Sequence, residues 1–161
     1  MARLEYLVIH CTATPEGREV SGADIRHWHC DPKPRGNGWK QVGYTDLFHL
    51  NGGVERLTPN NEDANVDPWE ITNGVKGYNG VSRHIVYVGG LENRPGVPYK
   101  DLKSKDTRTD AQRKAMEKYV RNFHLKHPEV RIVGHRQLDR SKDCPSFSVP
   151  GWLRQIGIKQ D

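Results

Sequence analysis

Three residues of the 161-residue sequence carry the donor groups of a transition-metal site: His10, His135 and Cys144. His10 closes one apolar run, His135 follows another, and Cys144 shares a short loop with His135. Zinc takes imidazole and thiolate readily. Three protein ligands would leave a fourth position for water or substrate, as catalytic rather than structural zinc requires. Such an ion polarises a carbonyl and lowers the pKa of bound water. Spacing alone leaves a second reading open. Among eight histidines some pair falls near a cysteine in any case, and on spacing alone a satisfied core histidine at His10 and a buried thiol at Cys144 are the favoured reading. Lys142, two residues before Cys144, is either a cation for a developing oxyanion or a solvated loop lysine. Tyr44 is either a phenol that donates to an oxyanion or orients a water, or an aromatic packing residue. The other histidines carry less. His27 and His29 flank Trp28 at a spacing that points them to different helix faces. His49 and His84 fall on predicted strands, and His124 and His127 sit at a helix end, where the dipole favours cations.

Positioning these groups requires a framework. Arg3 to Cys11 is dense in β-formers and reads as a buried strand ending at His10. Ser21 or Gly22 opens a short helix through Ile25, Trp28 and His29 with one apolar face. Val42 to Leu50 reads as a strand, Asn51-Gly52-Gly53 as a hairpin turn, and Val54 to Leu57 as the return. Residues 58–80 read as loop with one helical turn. Val81 to Val88 is a second strong strand, and 91–107 another polar loop. Thr109 and Gln112 make a capping box for a helix whose apolar residues Met116, Tyr119, Val120 and Phe123 recur at helical spacing up to Pro128. Val130 to Val133 is a short strand, 134–147 a loop, and a last helix begins after Pro150. Cys11 points away from His10 along the strand and reads as a core thiol. The expected fold is α/β, a single domain over 1–161 with a central mixed β-sheet flanked by helices.

Composition excludes several classes. At this length roughly 70% of the unfolded surface is buried, enough for a core without disulfide staples. Three cysteines without an export signal argue against a disulfide framework. No apolar run approaches the ~18 residues that span a bilayer, and the first ten residues lack the pattern of a secretory signal. A net charge of +5 favours acidic partners. The charges are dispersed, without the clustered Lys/Arg of a nucleic-acid binder.

Read together, the segments resemble a known family. Ile9-His-Cys-Thr-Ala-Thr14 is similar to the opening strand of the type-2 N-acetylmuramoyl-L-alanine amidases, which include phage lysozymes that are amidases and the peptidoglycan recognition proteins. Val42-Gly-Tyr-Thr45, Val75-Lys-Gly-Tyr-Asn79, Val86-Tyr-Val-Gly-Gly90, and Gly134-His-Arg136 with Lys142-Asp-Cys-Pro-Ser146 resemble further family segments in the family's order, over residues 3–156. The resemblance implies Zn2+ on His10, His135 and Cys144, with Tyr44 and Lys142 catalytic. It also implies Lys76, Tyr78 and Asn79 as contacts to the stem peptide or glycan. The implied reaction is hydrolysis of the amide between N-acetylmuramic acid and L-alanine of peptidoglycan. The chain departs from the family at two places: Thr45 follows the Gly-Tyr pair where members often have histidine, and Asn73 and Gly74 stand where the groove loop often has one shortly before its Lys-Gly. A binding module without activity typically lacks the cysteine ligand, which is present here. A glycosidase wants a carboxylate pair, and Glu5, Glu55, Glu70 and Asp139 form none that is recognisable. A regulatory binder of a nucleic-acid enzyme is neither supported nor excluded. The expectation is a monomer acting on peptidoglycan, without nucleic acid or membrane insertion. It is made in the cytoplasm without a signal peptide and acts on the wall after release, or on wall fragments.

Overall fold

The computed structural model describes residues 2–160; the two ends of the predicted 1–161 span lie outside them. In chain order the elements are β1 (Ala2–Arg3), β2 (Tyr6–Cys11), β3 (Thr14–Pro15), α1 (Gly22–Cys30), β4 (Asp46–Phe48), β5 (Val54–Arg56), β6 (Asn65–Val66), β7 (Ser82–Tyr87), β8 (Gly90–Leu91), α2 (Asp110–Lys126), β9 (Arg131–Gly134), α3 (His135–Leu138) and α4 (Val149–Gln155). The main sheet has the order β5-β4-β7-β2-β9. β4, β7, β2 and β9 run parallel, and β5 returns antiparallel at one edge, so the sheet is mixed. β1 with β6 and β3 with β8 make two small ribbons beside it.

Parallel strands covered on both faces need continuous apolar runs rather than alternation; Leu7-Val8-Ile9 of β2 and Ile85-Val86-Tyr87 in the second half of β7 supply them. On one face Leu7, Ile9, Phe48, Ile85 and Tyr87 pack against Met116, Val120 and Phe123 of α2 and Trp152 and Leu153 of α4. On the other, Leu47 and Val86 pack against Ile25 of α1, while Val8 and Val133 meet Val75 of a loop. His10 shares this second face, two positions from Val8.

α2 begins as its capping box predicts: Thr109 Oγ1 accepts from the Gln112 N–H, and the Gln112 side chain accepts from the Thr109 N–H. Gln112 is fully buried, and its amide nitrogen also donates to the Phe48 and Val88 carbonyls, pinning the helix across the ends of two strands.

The strand expected from Arg3 to Cys11 is divided, because Leu4 and Glu5 separate β1 from β2, and the expected 58–80 loop contains β6, which pairs with β1. Three further boundaries differ from expectation. The strand predicted over Val42 to Leu50 is confined to β4, because Val42 and Gly43 spend their backbone groups on Asn73 and His29 rather than on a neighbouring strand. α4 starts at Val149 with Ser148 as its cap, and Pro150 sits in the first turn, where its missing N–H leaves no bond unmade. The predicted 134–147 loop contains the single turn α3. The Asn51-Gly52-Gly53 turn is present, with Gly52 at φ +86° joining Phe48 to its partner Val54.

β9 is the other edge of the sheet. There the Gln160 side chain accepts from the Ile132 N–H at 2.8 Å and donates to the Val130 carbonyl at 3.0 Å.

Candidate metal centre

The parallel register assembles the site. Ile9 of β2 lies opposite Gly134 of β9, so His10 and His135 leave the sheet side by side. Their ring centroids are 4.7 Å apart. Cys144 comes back to this point on the loop after α3, where its carbonyl accepts from the Arg136 N–H at 2.8 Å. That loop lies so close to β9 that a side chain at Gly134 would have its Cβ 2.8 Å from the Pro145 ring. Behind it the buried Tyr87 hydroxyl donates to the Pro145 carbonyl at 2.6 Å, and Ser146 Oγ donates to the Gly90 carbonyl at 2.8 Å. The Arg108 guanidinium stacks on the Phe147 ring at 3.4 Å, closing the loop from outside.

The donor atoms of His10, His135 and Cys144 all lie within 4.8 Å of one another. His10 Nδ1 is 3.8 Å from Cys144 Sγ. Zinc–nitrogen and zinc–sulfur bond lengths at a tetrahedral angle would set that separation at about 3.6 Å. The Cys11 N–H donates to Cys144 Sγ at 3.2 Å, which favours thiolate, but the Cys11 side chain and then burial outweigh it and hold the thiol well above its ordinary pKa while no cation is bound. The donor set and its spacing therefore fit a tetrahedral ion with one position left over. Cys11 itself turns its sulfur to the core, as expected, toward Ser146.

The remaining predicted residues are distributed around this cluster. The Tyr44 ring stands 5.1 Å from that of His10 and 5.2 Å from that of His29. Burial, then the Cys144 and Cys11 thiols, push its phenol pKa up, so it is a proton donor at neutral pH. Lys142 is exposed at the rim. His135 is lowered first by burial and, against the pull of Asp139, further by the Lys142 charge. Lys76 is exposed on the loop before β7, Tyr78 packs edge-on against Tyr6 at 5.6 Å, and the Asn79 side chain turns inward.

Two histidines passed over in the sequence belong here. His29 Nδ1 accepts from the Gly43 N–H at 2.9 Å and so fixes the backbone beside Tyr44; burial pushes its pKa down to about 4 and keeps it neutral. His84 Nδ1 lies 2.9 Å from His10 Nε2, and burial followed by the His135 charge pushes it down to about 3. The signal for His84 was available only with the strand register, which sets it opposite Val8 and on the same face as His10.

The sequence model of the N-acetylmuramoyl-L-alanine amidase family matches residues 1–147. The chain is 29% identical to the endolysin of Enterobacteria phage K11 over 146 residues, 91% of this chain and 83% of that protein. Among solved structures it is similar to the Ph2119 endolysin of a Thermus scotoductus bacteriophage, at TM-score 0.69 and 26% identity, covering 99% of this chain and 88% of the other. A Drosophila PGRP-LB variant in complex with tracheal cytotoxin shares the fold at TM-score 0.66 and 16% identity, covering 100% and 86%. Among the described residues no helix is long and apolar enough to cross a membrane.

Proposed function

The chain belongs to the N-acetylmuramoyl-L-alanine amidase family, and from that premise we propose how its own residues hydrolyse the amide joining muramic acid to L-alanine in peptidoglycan. The observation that carries the reading is the convergence of two imidazoles and one thiol within 4.8 Å in a chain of this family. His10, His135 and Cys144 would hold zinc. When bound, the ion supplies Lewis acidity toward the amide carbonyl and a more acidic water.

The rest falls to the protein. Lys142 brings a positive charge to the rim, where the carbonyl oxygen of the substrate gains negative charge, and Tyr44 offers a phenolic O–H to the same oxygen. His29 holds the Gly43 backbone beside Tyr44 and so steadies the direction of that donor. Water adds its hydroxyl to the carbonyl carbon, the C–N bond breaks, and the amine of L-alanine leaves with the proton that the water gave up. Lys76 and Tyr78, with the segment through Asn79, form the side that meets the stem peptide, where the Lys76 ammonium suits a free carboxylate. We assign residues 1–161 to one amidase domain that works as a monomer, on the wall after release in the manner of an endolysin.

The test is digestion of purified peptidoglycan with and without chelator, with products identified by mass. Intact glycan strands and free stem peptides, lost on chelation and restored by zinc, are expected. Cleaved glycan would refute the reaction. Binding without cleavage in zinc-replete buffer would make the chain a recognition module.

A further inference from the structure

His84 has no part in the mechanism above, and the Asn79 side chain turns inward from the segment that meets the stem peptide; together they form a hydrogen-bonded line that ends on His10. The line has a polarity that can be read from one end. The Val75 backbone N–H can only donate, and it meets the Asn79 side chain at 2.8 Å. The atom there must therefore be Oδ1, an acceptor. The same oxygen lies 3.1 Å from His84 Nε2. An amide oxygen has no proton to give, so His84 Nε2 carries the hydrogen. His84 is fully buried and has no carboxylate among its hydrogen-bond partners. It therefore holds a single ring proton, and its Nδ1 is bare. His10 Nε2 is 2.9 Å from that bare nitrogen, so the proton of His10 sits on Nε2. What remains on His10 is an unprotonated Nδ1, the atom 3.8 Å from Cys144 Sγ.

We infer that His84 is a positioning residue for the metal site: through Asn79 and His84 the Val75 amide fixes the tautomer of His10, so that Nδ1 stands ready as a ligand before any ion arrives. This rests on the metal-site reading of the preceding subsection. The arrangement also explains one departure from the family pattern. A Cβ at Gly74 would lie 2.3 Å from His84 Nδ1 and 2.4 Å from its Cγ. The His84 backbone is held in a central strand paired on both sides, so only a swing of the ring away from His10 could relieve the clash. Position 74 is therefore empty because β7 sends an imidazole into the space above it. Metal-bound histidines usually hand their second N–H to a carboxylate, a carbonyl or water. A neutral imidazole in that role orients His10 without adding negative charge, which leaves the Cys144 thiolate as the one anionic ligand.

The first measurement needs no variant. Long-range proton–nitrogen correlation spectra of the histidine side chains in the metal-free protein should show both His84 and His10 protonated at Nε2. The second is zinc affinity by chelator competition. Gly74→Ala keeps all three ligands but displaces the His84 ring, and Asn79→Leu removes the acceptor that sets the polarity. Each should weaken zinc by about 10–100-fold, the usual cost of losing an outer partner. His84 protonated at Nδ1 would overturn the inference, as would Gly74→Ala and Asn79→Leu proteins that lose thermal stability but bind zinc as wild type does. Wild-type protein that takes up no zinc would instead overturn the metal-site reading on which the inference stands.

Discussion

Tyr87→Phe removes one oxygen from the interior and tests how the Cys144 loop is held. Tyr87 is fully buried at the end of β7, and its hydroxyl donates to the Pro145 carbonyl, 58 residues away, at 2.6 Å. Phenylalanine keeps the ring and its contact with Phe147 but leaves a buried carbonyl without a donor. That costs about 1–3 kcal/mol. In a domain of this size each kcal/mol moves the melting midpoint by about 2–4 °C. The loop carries a proposed ligand, so the loss divides. In the zinc-loaded protein the loop is tied by Cys144, and the whole 1–3 kcal/mol should appear in unfolding. In the chelated protein the loop can pull away locally, and the loss should be smaller. By linkage the difference is the loss in zinc affinity, which cannot exceed about a hundredfold. Denaturant unfolding of both forms, with zinc competition, measures all three quantities. Unchanged midpoints in both forms would refute the reasoning, as would a larger loss in the chelated protein than in the loaded one.

Three further outcomes follow from other parts of the molecule. Cys144→Ser should reduce zinc affinity by more than the roughly 10–100-fold expected of an outer partner, and should abolish the sulfur-to-metal charge-transfer band of a cobalt-substituted protein. Gln112→Leu strips two buried strand-end carbonyls and the Thr109 N–H of their partner, and should lower unfolding free energy by about 2–4 kcal/mol while sparing zinc affinity. Burial would lower the His49 pKa, but hydrogen bonds to Glu19 at 3.0 Å and Glu55 at 2.9 Å outweigh it and hold the imidazole above 6.5. A group raised on folding stabilises fully below its unfolded pKa and loses that contribution as pH rises through the folded one. The stability gap between wild type and His49→Gln, by urea unfolding, should therefore be widest below pH 6.5 and close above it; a gap that widened with pH would contradict the assignment.

What could be read from the sequence was local. The runs of β2 and β7 and the Thr109–Gln112 box are written in neighbouring residues, and each element appears close to where its pattern puts it. The ligand types were visible, but their convergence depends on Ile9 meeting Gly134 across two parallel strands. Parallel register is set by long connections and leaves no short-range mark. The same non-local pairing hid His84, whose place beside His10 requires knowing that it faces Val8. Around Tyr44 the loose alternation of Val42 to Leu50 misled in the other direction. A strand needs a partner along its whole length, and here the backbone of Val42 and Gly43 is taken by Asn73 and His29, so the chain bends toward the site before β4 begins.

The Gln160 amide at the rim of β9 bears on what that edge has free to offer another strand. A parallel sheet with an open side is a template on which another chain can add a strand and so begin self-association. β5 guards its side with the charged pair Glu55 and Arg56. β9 has Ile132 and Val133 near its middle and only Arg131 as an exposed charge. Gln160 occupies the N–H and carbonyl that an incoming strand would need, imitating one peptide unit of that strand with a single side chain. Gln160 thus fills one register position of the edge without burying it under a further element of structure.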